Sequence, residues 1–426
     1  IAAGHRVSVV GFGSVADHSD ACKCRQDWID AGGEVIDPDN IANPQSFIVS
    51  HELIIDALLG TGLSRPAVGQ MRRWIQLVNQ SSVACLAADV PSGLNSDSGA
   101  LVGSAIRSVA TTTFIGRKQG LFTGQARAYV GDVEFDDLAV PEAIYGQITA
   151  QTVLLQPGKS TAPLIPQRQR DSHKGDHGHL LIIGAGVGMP GAAAIAAQAA
   201  LKTGAGLVTV AVHPDNVAAV AIAQPEMMVH GVQKPADLQA LIARANVIAI
   251  GPGLGAGSWA KSLWGALKDY SGPLVVDADG LNLLAAEPIQ RSNWVLTPHP
   301  GEAARLLNTT TVEIAQDRFD AVKRLQLVFG GVAVLKGAGT LVCDPVEKLA
   351  VIDGGNPGMA GGGMGDALTG VIAGLISQGL DLYQAATFGS AAHSWAADMA
   401  AAGLGERGLL VSDLIQRLPQ IINGYR

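Results

Sequence analysis

Apolar runs of strand length alternate with longer amphipathic segments along most of the chain. This alternation predicts an α/β fold, because a parallel sheet that is covered on both faces needs a helical crossover after each strand. A helix is predicted over 70–79, between two strands of the first part. The predicted strands are 5–10, 53–59, 83–89 and 111–115 in the first part, and 180–183, 207–212, 247–250, 274–277, 294–297 and 332–336 in the second.

A polar stretch that contains prolines, 156–170, separates the two series of strands. We therefore predict two domains, 1–155 and 156–426, and a chain of 426 residues is long enough to form two hydrophobic cores. The 53 glycines and the low aromatic content of 4% suit an α/β protein with many tight strand-to-helix turns.

Charge and cysteine content narrow the class of partner. The chain has 29 Lys and Arg residues against 37 Asp and Glu residues, a formal net charge of −8, and its basic residues are not clustered. We therefore expect a small-molecule substrate rather than a nucleic acid or a membrane surface. Four cysteines are too few for a disulfide framework, and Cys22 and Cys24 lack a partner pair at zinc spacing. Without a signal-peptide pattern, the sequence predicts a cytoplasmic protein.

The segment 361–366, Gly-Gly-Gly-Met-Gly-Asp, is the strongest candidate for a catalytic site. Glycines ahead of a predicted helix, 367–377, let several backbone N–H groups point at one ligand, and the helix dipole favours an anion there. Asp366 could then take a hydroxyl proton beside a transferring phosphoryl group. The alternative is that Asp366 only caps the helix, although a cap does not require three glycines.

Three further segments directly follow predicted strands, at the sheet edge where open α/β folds bind ligands. The segment 251–255, Gly-Pro-Gly-Leu-Gly, predicts a ligand loop rather than a simple turn. The segment 336–340, Lys-Gly-Ala-Gly-Thr, predicts a backbone cradle with one cation for phosphate, or else an ordinary hairpin. In 297–302, two prolines flank His299, which we interpret as a substrate contact with a structural role as the alternative.

Two other patterns have competing interpretations. The segment 186–191 fits the dinucleotide pattern GxGxxG, but the next predicted strand ends in His213 instead of the acidic residue that such a site needs. An oxidoreductase is therefore the weaker alternative to a tight turn. The segment 172–179 carries three histidines without a carboxylate at helical spacing, so we favour a loop that lines the nucleotide site over a metal site.

These segments occur in the order seen in ADP-dependent NAD(P)H-hydrate dehydratases, which the chain resembles from about residue 160 onward. The matching segments are 173–175, 189–192, 251–254, 297–302, 336–337 and 363–366. The resemblance implies a ribokinase-like three-layer domain with a mostly parallel central sheet. It also implies the ADP-dependent dehydration of (S)-NAD(P)H hydrate to NAD(P)H, with release of AMP and phosphate.

The same resemblance implies roles for individual residues. Asp366 is implied as the catalytic base, with ADP as the phosphoryl donor and Mg²⁺ carried on the phosphates. The residues implied to bind the nucleotide are Lys336, Gly337, Ala338, Gly339, Thr340, Gly363 and Gly365. The residues implied to contact the hydrate are Ala192, Gly253, His299 and Asp366.

The first part of the chain resembles the NAD(P)H-hydrate epimerase that is fused to the dehydratase in bacteria, a Rossmann-like α/β domain. The matching segments are 56–63 and 89–94. They imply a potassium ion held by Asp56 and Ser92, and a substrate contact from Asp89. The implied nucleotide loop is Gly60, Thr61, Gly62, Leu63, Ser64, Arg65 and Pro66. The family's opening strand and its Asn-Asn-Gly-Gly-Asp-Gly loop have no counterpart, so we expect an incomplete domain with impaired epimerase activity.

Two other functions stay open. A small-molecule kinase of the ribokinase superfamily would leave a stable phosphorylated product, and a nucleotide sensor would bind ADP without turnover. His299 stands where hydroxymethylpyrimidine-type kinases usually carry asparagine, while Glu302 keeps the acid, which argues against an ordinary kinase. The resemblance further implies a homo-oligomer, with a tetramer favoured. The preferences for ADP or ATP and for NADHX or NADPHX stay open.

Overall fold

The structure, a computed structural model, describes residues 4–13, 17–63, 65–158, 165 and 167–424. Its described residues form two compact units. The first unit lies within Ile1–Leu121 and Gln125–Tyr145. The second unit lies within Phe122–Gly124 and Gly146–Arg426, so that a three-residue segment from within the first stretch belongs to the second unit.

The first unit is built on a four-stranded parallel sheet. The described strands of this unit are β1 (Val9–Val10), β2 (Val35–Ile36), β3 (Leu53–Asp56), β4 (Ala84–Ala88), β5 (Ala110–Phe114) and β6 (Asp132–Asp136). Its described helices are α1 (Asp20–Asp30), α2 (Pro44–Val49), α3 (Gly69–Gln80) and α4 (Glu142–Tyr145). The sheet has the order β3-β4-β5-β6, and β1 pairs separately with β2. Helix α3 supplies much of the core, because Trp74, Ile75 and Val78 recur on one of its faces.

The second unit is built on a ten-stranded sheet. Its strands are β7 (Thr152–Leu155), β8 (His179–Ile183), β9 (Leu207–Val212), β10 (Met228–Gly231), β11 (Val247–Ile250), β12 (Leu274–Val276), β13 (Trp294–Leu296), β14 (Val332–Leu335), β15 (Leu341–Cys343) and β16 (Leu349–Ile352). The spatial order is β10-β9-β8-β11-β12-β13-β14-β15-β16-β7. Every neighbouring pair is parallel except the two pairs that β15 makes.

Helices cover this sheet. They are α5 (Pro190–Thr203), α6 (Val217–Ala223), α7 (Gln239–Ile242), α8 (Ser258–Gly265), α9 (Ala278–Ala286), α10 (Pro300–Leu306), α11 (Thr311–Gln316), α12 (Arg318–Phe329), α13 (Met364–Ser377), α14 (Leu382–Leu404) and α15 (Val411–Ile422). Strands β11 to β14 are buried at every position, which explains why they consist of unbroken apolar residues instead of alternating ones. Small residues let the helices approach closely: a methyl group at Gly370 of α13 would overlap the backbone of Ala196 in α5.

The order of the strands determines where a ligand site can form. From β8, the chain crosses to β9 on one side, whereas β11 to β14 follow on the other side. The carboxyl ends of these parallel strands lie at one edge of the sheet, and open α/β sheets bind ligands at such a reversal of strand order. The loops after β8, β11, β12, β13 and β14 therefore meet at this edge.

The predicted α/β class is confirmed, and the predicted strands overlap β1, β3 to β5, β8, β9 and β11 to β14. Strands β2, β6, β7, β10, β15 and β16 were not predicted. Strand β7 pairs with β16, so residues 152–155 lie in the sheet of the second unit, although the predicted domain boundary follows residue 155. Among the described helices, none combines the length and the apolar character that a membrane crossing requires.

Candidate active site

Asp366 lies in the first turn of α13, at the ligand edge of the second unit. Gly363 precedes the helix with a left-handed φ of 86°, a conformation that glycine adopts without strain, and its position provides no side-chain cap. The first N–H groups of a helix have no partner inside the helix, so this end of α13 can donate to an anion.

Burial makes the Asp366 carboxyl a base that titrates near neutral pH. Burial raises the pKa of Asp366 to about 7, the negative charge of Asp277 adds to this, and Lys336 opposes it. In the described part of the chain the carboxylate accepts no hydrogen bond, so Asp366 does not cap its own helix. The geometry therefore favours a catalytic role over the capping alternative.

Lys336, directly after β14, forms a buried cluster with two carboxylates. Its Nζ lies 2.7 Å from Oδ1 of Asp277 and 3.8 Å from Oε2 of Glu302. Thr369 of α13 donates to the other oxygen of Asp277 at 2.7 Å. Burial lowers the pKa of Lys336, but Asp277 and Glu302 outweigh burial, so that this pKa is raised and the ammonium group stays charged.

Gly365 brings the start of α13 against this cluster. A methyl group added at Gly365 would lie 3.2 Å from Nζ of Lys336 and 3.7 Å from Oδ2 of Asp277. The glycine therefore allows Asp366 and Lys336 to share one corner of the site, which joins the predicted base and the predicted phosphate cation.

Two other predicted substrate residues lie together: Ala192 is in the first turn of α5, which follows the loop after β8, and Gly253 is on the loop after β11. A methyl group at Gly253 would lie 3.1 Å from Cβ of Ala192 and 2.9 Å from the Met189 carbonyl oxygen. The two loops are joined by a hydrogen bond of 2.7 Å from Gly186 N to the Gly253 carbonyl. Asp279, after β12, accepts from Gly255 N at 2.7 Å and so adds a carboxylate to the same loops.

His299 precedes α10 and caps that helix while its side chain stays exposed. Its Nδ1 accepts from Gly301 N at 2.9 Å, and its own backbone N–H donates to Glu302 at 2.7 Å. A ring that accepts at Nδ1 presents its Nε2 as the donor. The structural and functional interpretations of His299 are therefore compatible.

The segment 172–179 lies at the amino end of β8, away from the ligand edge. His177 is paired with the turn before β9 through a hydrogen bond of 3.0 Å from Gly206 N. A methyl group at Gly178 would overlap the carbonyl of Ser377, the last residue of α13, whereas Asp366 lies in the first turn of that helix. The hypothesis that this segment lines the nucleotide site is therefore wrong within the second unit.

In the first unit, Asp56 and Ser92 are joined as predicted for a shared site. Asp56, at the end of β3, accepts from Ser92 N at 2.7 Å and from Ser92 Oγ at 2.6 Å. The Ser92 hydroxyl also accepts from Leu59 N at 2.8 Å and lies 3.3 Å from the Leu59 carbonyl. Burial raises the pKa of Asp56, and the two hydrogen bonds from Ser92 oppose that shift.

Asp89, after β4, has a left-handed φ of 69° and forms an ion pair with Lys118. Its carboxylate also accepts from Phe114 N at 3.1 Å and from Thr113 Oγ1 at 3.2 Å. The loop from Gly60 to Pro66 follows Leu59, whose backbone N–H donates to the Ser92 hydroxyl. Most of its described residues are exposed. Ser64 lies outside the described residues.

Sequence reasoning missed Asp277, Thr369 and Lys118. Asp277 and Lys118 each follow a strand of a parallel sheet, and this position was a signal that could have been used. Thr369 carries no such signal, because it lies in the interior of α13. In the described part of the chain, no group of three or more His, Cys, Asp or Glu side chains could hold a metal ion.

Two family models match the chain. One is described as NAD(P)H-hydrate dehydratase and matches residues 180–420. The other is described as YjeF-related protein N-terminus and matches residues 1–120. Together they cover most of the chain in the order of the two units.

Several known proteins are similar over most of their length. The bifunctional NAD(P)H-hydrate repair enzyme Nnr of Coxiella burnetii is 48% identical over 380 residues, which are 89% of this chain and 78% of the relative. The enzyme of that name from Escherichia coli is 44% identical over 404 residues, which are 95% of this chain and 77% of the relative. The structure of ADP/ATP-dependent NAD(P)H-hydrate dehydratase from Bacillus subtilis, co-crystallised with ATP and Mg²⁺, has a TM-score of 0.54 at 27% identity and covers 61% of this chain and 93% of that chain. A ribokinase-like protein from Enterococcus faecalis has a TM-score of 0.58 at 27% identity and covers 65% of this chain and 97% of that chain.

Proposed function

The chain belongs to the bifunctional NAD(P)H-hydrate repair enzymes, with a dehydratase and an epimerase domain, and from this premise we propose which residues carry each activity. The predicted family and the ribokinase-like fold are thereby confirmed, and the kinase alternative is not favoured. The observation that carries the proposal is the partly buried Asp366 carboxyl, which lies in the first turn of α13 near Lys336 and has a pKa of about 7.

In the first step, the Asp366 carboxylate takes the proton of the hydrate's hydroxyl. The oxygen then forms a bond to the terminal phosphorus of ADP, and the bond between that phosphorus and the bridging oxygen breaks, so that AMP leaves. Charge spreads over the transferring phosphoryl oxygens, where the N–H groups at the start of α13 and the ammonium group of Lys336 stabilise it.

In the second step, the ring nitrogen's electron pair expels the phosphorylated oxygen as inorganic phosphate. Loss of a proton from the adjacent ring carbon then restores the double bond of NAD(P)H. The balance is one hydrate and one ADP converted to NAD(P)H, AMP and phosphate. Phosphorylation serves this step because phosphate is a far better leaving group than hydroxide.

We propose that the nucleotide lies along Lys336, Gly337, Ala338, Gly339 and Thr340, with its phosphates toward Gly363 and Gly365. The exposure of Gly337 and Ala338 supports this placement. Both oxygens of Asp277 already bind protein groups, so Mg²⁺ would be carried by the phosphates and water, which this ion prefers in such sites. When bound, it neutralises charge on the transferring phosphate.

We propose that Ala192, Gly253 and His299 contact the hydrate beside Asp366. The proposal is supported by their positions, because these residues follow β8, β11 and β13 at the carboxyl edge of the sheet. The His299 side chain is exposed, and its Nε2, which lies 3.5 Å from Oε1 of Glu302, is the ring nitrogen that could meet a polar group of the substrate.

For the epimerase we propose that Asp89 contacts the substrate and that the loop Gly60–Pro66 lines the nucleotide. Asp56 and Ser92 would hold a potassium ion, because a buried carboxylate, a hydroxyl and the nearby Leu59 carbonyl are the oxygen donors that such an ion takes. When bound, the ion supplies positive charge to the buried carboxylate. The fit supports the proposal since no ion pair of Asp56 is found in the described part of the chain.

We keep three further proposals from the sequence. The epimerase activity belongs to residues 1–155 and the dehydratase activity to residues 156–426. Strand β7, residues 152–155, nevertheless pairs with β16 in the dehydratase sheet. The protein is cytoplasmic. It assembles as a homo-oligomer, with a tetramer favoured.

The dehydratase proposal is tested by Asp366→Asn. With purified hydrate epimers, and with ADP and ATP in parallel, the wild type should release free phosphate as the absorbance of reduced nicotinamide returns. The variant should lose at least ~10³-fold in turnover while its ADP affinity is kept. Phosphate retained on the product would contradict the mechanism.

Asp320→Asn is the matched control. Asp320 occupies the same third position in α12 that Asp366 occupies in α13, but it is exposed at the surface. Turnover should be unchanged. Unchanged turnover in Asp366→Asn as well would refute the assigned base.

A further inference from the structure

Arg318 is a buried cation next to the proposed nucleotide turn 336–340. It occupies the first position of α12, where the helix dipole is unfavourable for a positive charge. Its side chain is 5% exposed, and burial lowers the pKa of Arg318 to about 10. In the described part of the chain its guanidinium forms no ion pair and donates only to neutral oxygens. Burying a charge without an ion pair costs free energy, and hydrogen bonds to neutral oxygens offset only part of that cost. A role for these hydrogen bonds is therefore worth seeking.

The guanidinium holds the turn by its carbonyl groups. It donates to the Leu335 carbonyl at 3.1 Å and the Lys336 carbonyl at 3.3 Å, and its Nε donates to Thr123 Oγ1 at 3.0 Å. It also lies against the turn, because a methyl group at Gly337 would be 3.1 Å from both terminal nitrogens.

The segment Phe122–Gly124 holds the rest of the turn from the same side. Thr123 Oγ1 donates to the Gly339 carbonyl at 2.7 Å, and Gly124 N donates to the Ala338 carbonyl at 2.8 Å. A methyl group at Gly339 would overlap the Phe122 carbonyl oxygen. The Thr123 hydroxyl therefore links Arg318 to the turn by accepting one hydrogen bond and donating another.

These contacts determine where the N–H groups of the turn point. In a planar trans peptide, the N–H of one residue points opposite to the carbonyl of the residue before it, and the peptide bonds here are trans. Because the carbonyls of Lys336, Ala338 and Gly339 are held on one side, the N–H groups of Gly337, Gly339 and Thr340 face the other side. In the described part of the chain these three N–H groups make no hydrogen bond.

We infer that Thr123 and Arg318 are positioning residues for nucleotide binding, which orient three backbone donors of the turn 336–340 toward the adenylate part of ADP. Successive N–H groups with a shared direction form an anion-binding concavity. The inference rests on the proposed function of this turn. Neither residue contacts the nucleotide, and both act through the peptide units that they hold.

The test compares Thr123→Val, which keeps the shape and removes the hydroxyl, with Thr123→Ser, which keeps the hydroxyl. Binding of ADP and of AMP is measured by calorimetry on the full chain, and KM and kcat for dehydration are measured at saturating hydrate. Thr123→Val should weaken ADP and AMP binding about tenfold and raise KM for ADP equally, with kcat within about twofold, since an unmade buried hydrogen bond costs about that much. Thr123→Ser should stay within about twofold of the wild type.

Wild-type affinity for both nucleotides in Thr123→Val would overturn the inference, and so would a fall in kcat with unchanged affinity. Arg318→Lys keeps the charge but loses the fork of donors, and it should resemble Thr123→Val. Amide exchange needs no variant: ADP should slow exchange in 122–124 as well as in 336–340, and protection of 336–340 alone would also count against the inference. Failure of the proposed function has a separate signature, which is turnover that survives Asp366→Asn.

Discussion

Asp366 has the environment of a general base that works near neutral pH. A general base is most effective when its pKa is close to the working pH, because it is then ionised and still binds a proton well. Burial raises the pKa of Asp366 from an ordinary value of 3.8 to about 7, whereas Lys336 limits the rise. The burial that makes the carboxylate more basic therefore also makes its ionised form unfavourable for the stability of the folded protein.

The rate of dehydration should follow the ionisation of Asp366. As pH falls through about 7, the carboxyl becomes protonated and cannot accept the hydroxyl proton. We expect kcat/KM for the hydrate to fall roughly tenfold per pH unit below this point and to level off above it. A pH profile at constant ionic strength measures this. A flat profile between pH 5 and pH 8 would contradict the assignment.

The same pKa predicts a stabilised variant. A carboxyl whose pKa is higher in the folded state than in the unfolded state binds more protons when folded, so its ionisation lowers stability as pH rises from 3.8 to about 7. Asp366→Asn should therefore be more stable than the wild type at pH 8, on the order of 2 kcal/mol, with a smaller difference at pH 5. Thermal unfolding without ligand measures it, and Asp320→Asn should show no such trend. If the stability difference between Asp366→Asn and the wild type did not change with pH, the fold would not raise the pKa of Asp366.

Single residues could be predicted where a motif carried them, and not where a distant contact gives them their role. Asp366 stands in a glycine-rich segment ahead of a predicted helix, and Lys336 and His299 stand in segments with glycines or prolines at the ends of predicted strands. Asp277 matters through Lys336, which is 59 residues away, and through Thr369, which is 92 residues away. Thr123 meets Arg318 across 195 residues. No local pattern encodes such pairs, because tertiary packing creates them.

At the scale of elements, helix α13 packs in the core of the second unit and carries the proposed catalytic base, Asp366, in its first turn. All eleven residues of the helix after Asp366, 367–377, are buried, so its position on the sheet is set by packing. Its first turn then projects to the ligand edge with Gly363 and Gly365 as the small residues that allow close approach. A rigid helix, not a flexible loop, thus holds Asp366 near Lys336.

Gly365→Ala should damage the site without disturbing the fold. The added methyl group would lie 3.2 Å from Nζ of Lys336, so the ammonium group must shift by a few tenths of an ångström and its ion pair with Asp277 is disturbed. We expect turnover to fall roughly ten- to hundredfold, because small displacements of catalytic groups have effects of that size. Gly265→Ala is the control, since Gly265 of α8 has open space around it and a helical alanine is favoured. Equal kinetics in both variants would mean that Lys336 is not held against Gly365.

The strands illustrate which elements a sequence can reveal. Strands β11 to β14 are buried on both faces and consist of unbroken apolar runs between loops, so their pattern predicted them. Strand β7 has one position exposed and three half-buried, and its place in the sheet depends on β16, almost 200 residues later. The antiparallel β15 and β16 are short and lie between polar turns, where periodicity carries little information.

At the scale of the whole molecule, each unit has its own parallel sheet and its own candidate site. Asp89 and Lys118 lie at the carboxyl edge of the first sheet, and Asp366 and Lys336 lie at that of the second. Each site combines a lysine with carboxylates: Lys118 forms an ion pair with Asp89, and Lys336 forms ion pairs with Asp277 and Glu302. Because no proposed residue is shared, the two activities should be separable by single substitutions.

An equal mixture of hydrate epimers tests this separation with one progress curve. The dehydratase should consume the (S) half rapidly, and the second phase should report epimerisation of the remaining half. Asp89→Asn removes the charge that pairs with Lys118, so its second phase should slow to the rate without enzyme, while its first phase stays within about twofold of the wild type. Asp366→Asn should lose the first phase yet still interconvert the epimers when they are followed by chromatography. A wild-type second phase at the rate without enzyme would confirm the expected impairment of the epimerase. A faster second phase that is equal in the wild type and Asp89→Asn would show that Asp89 does not carry the epimerase reaction.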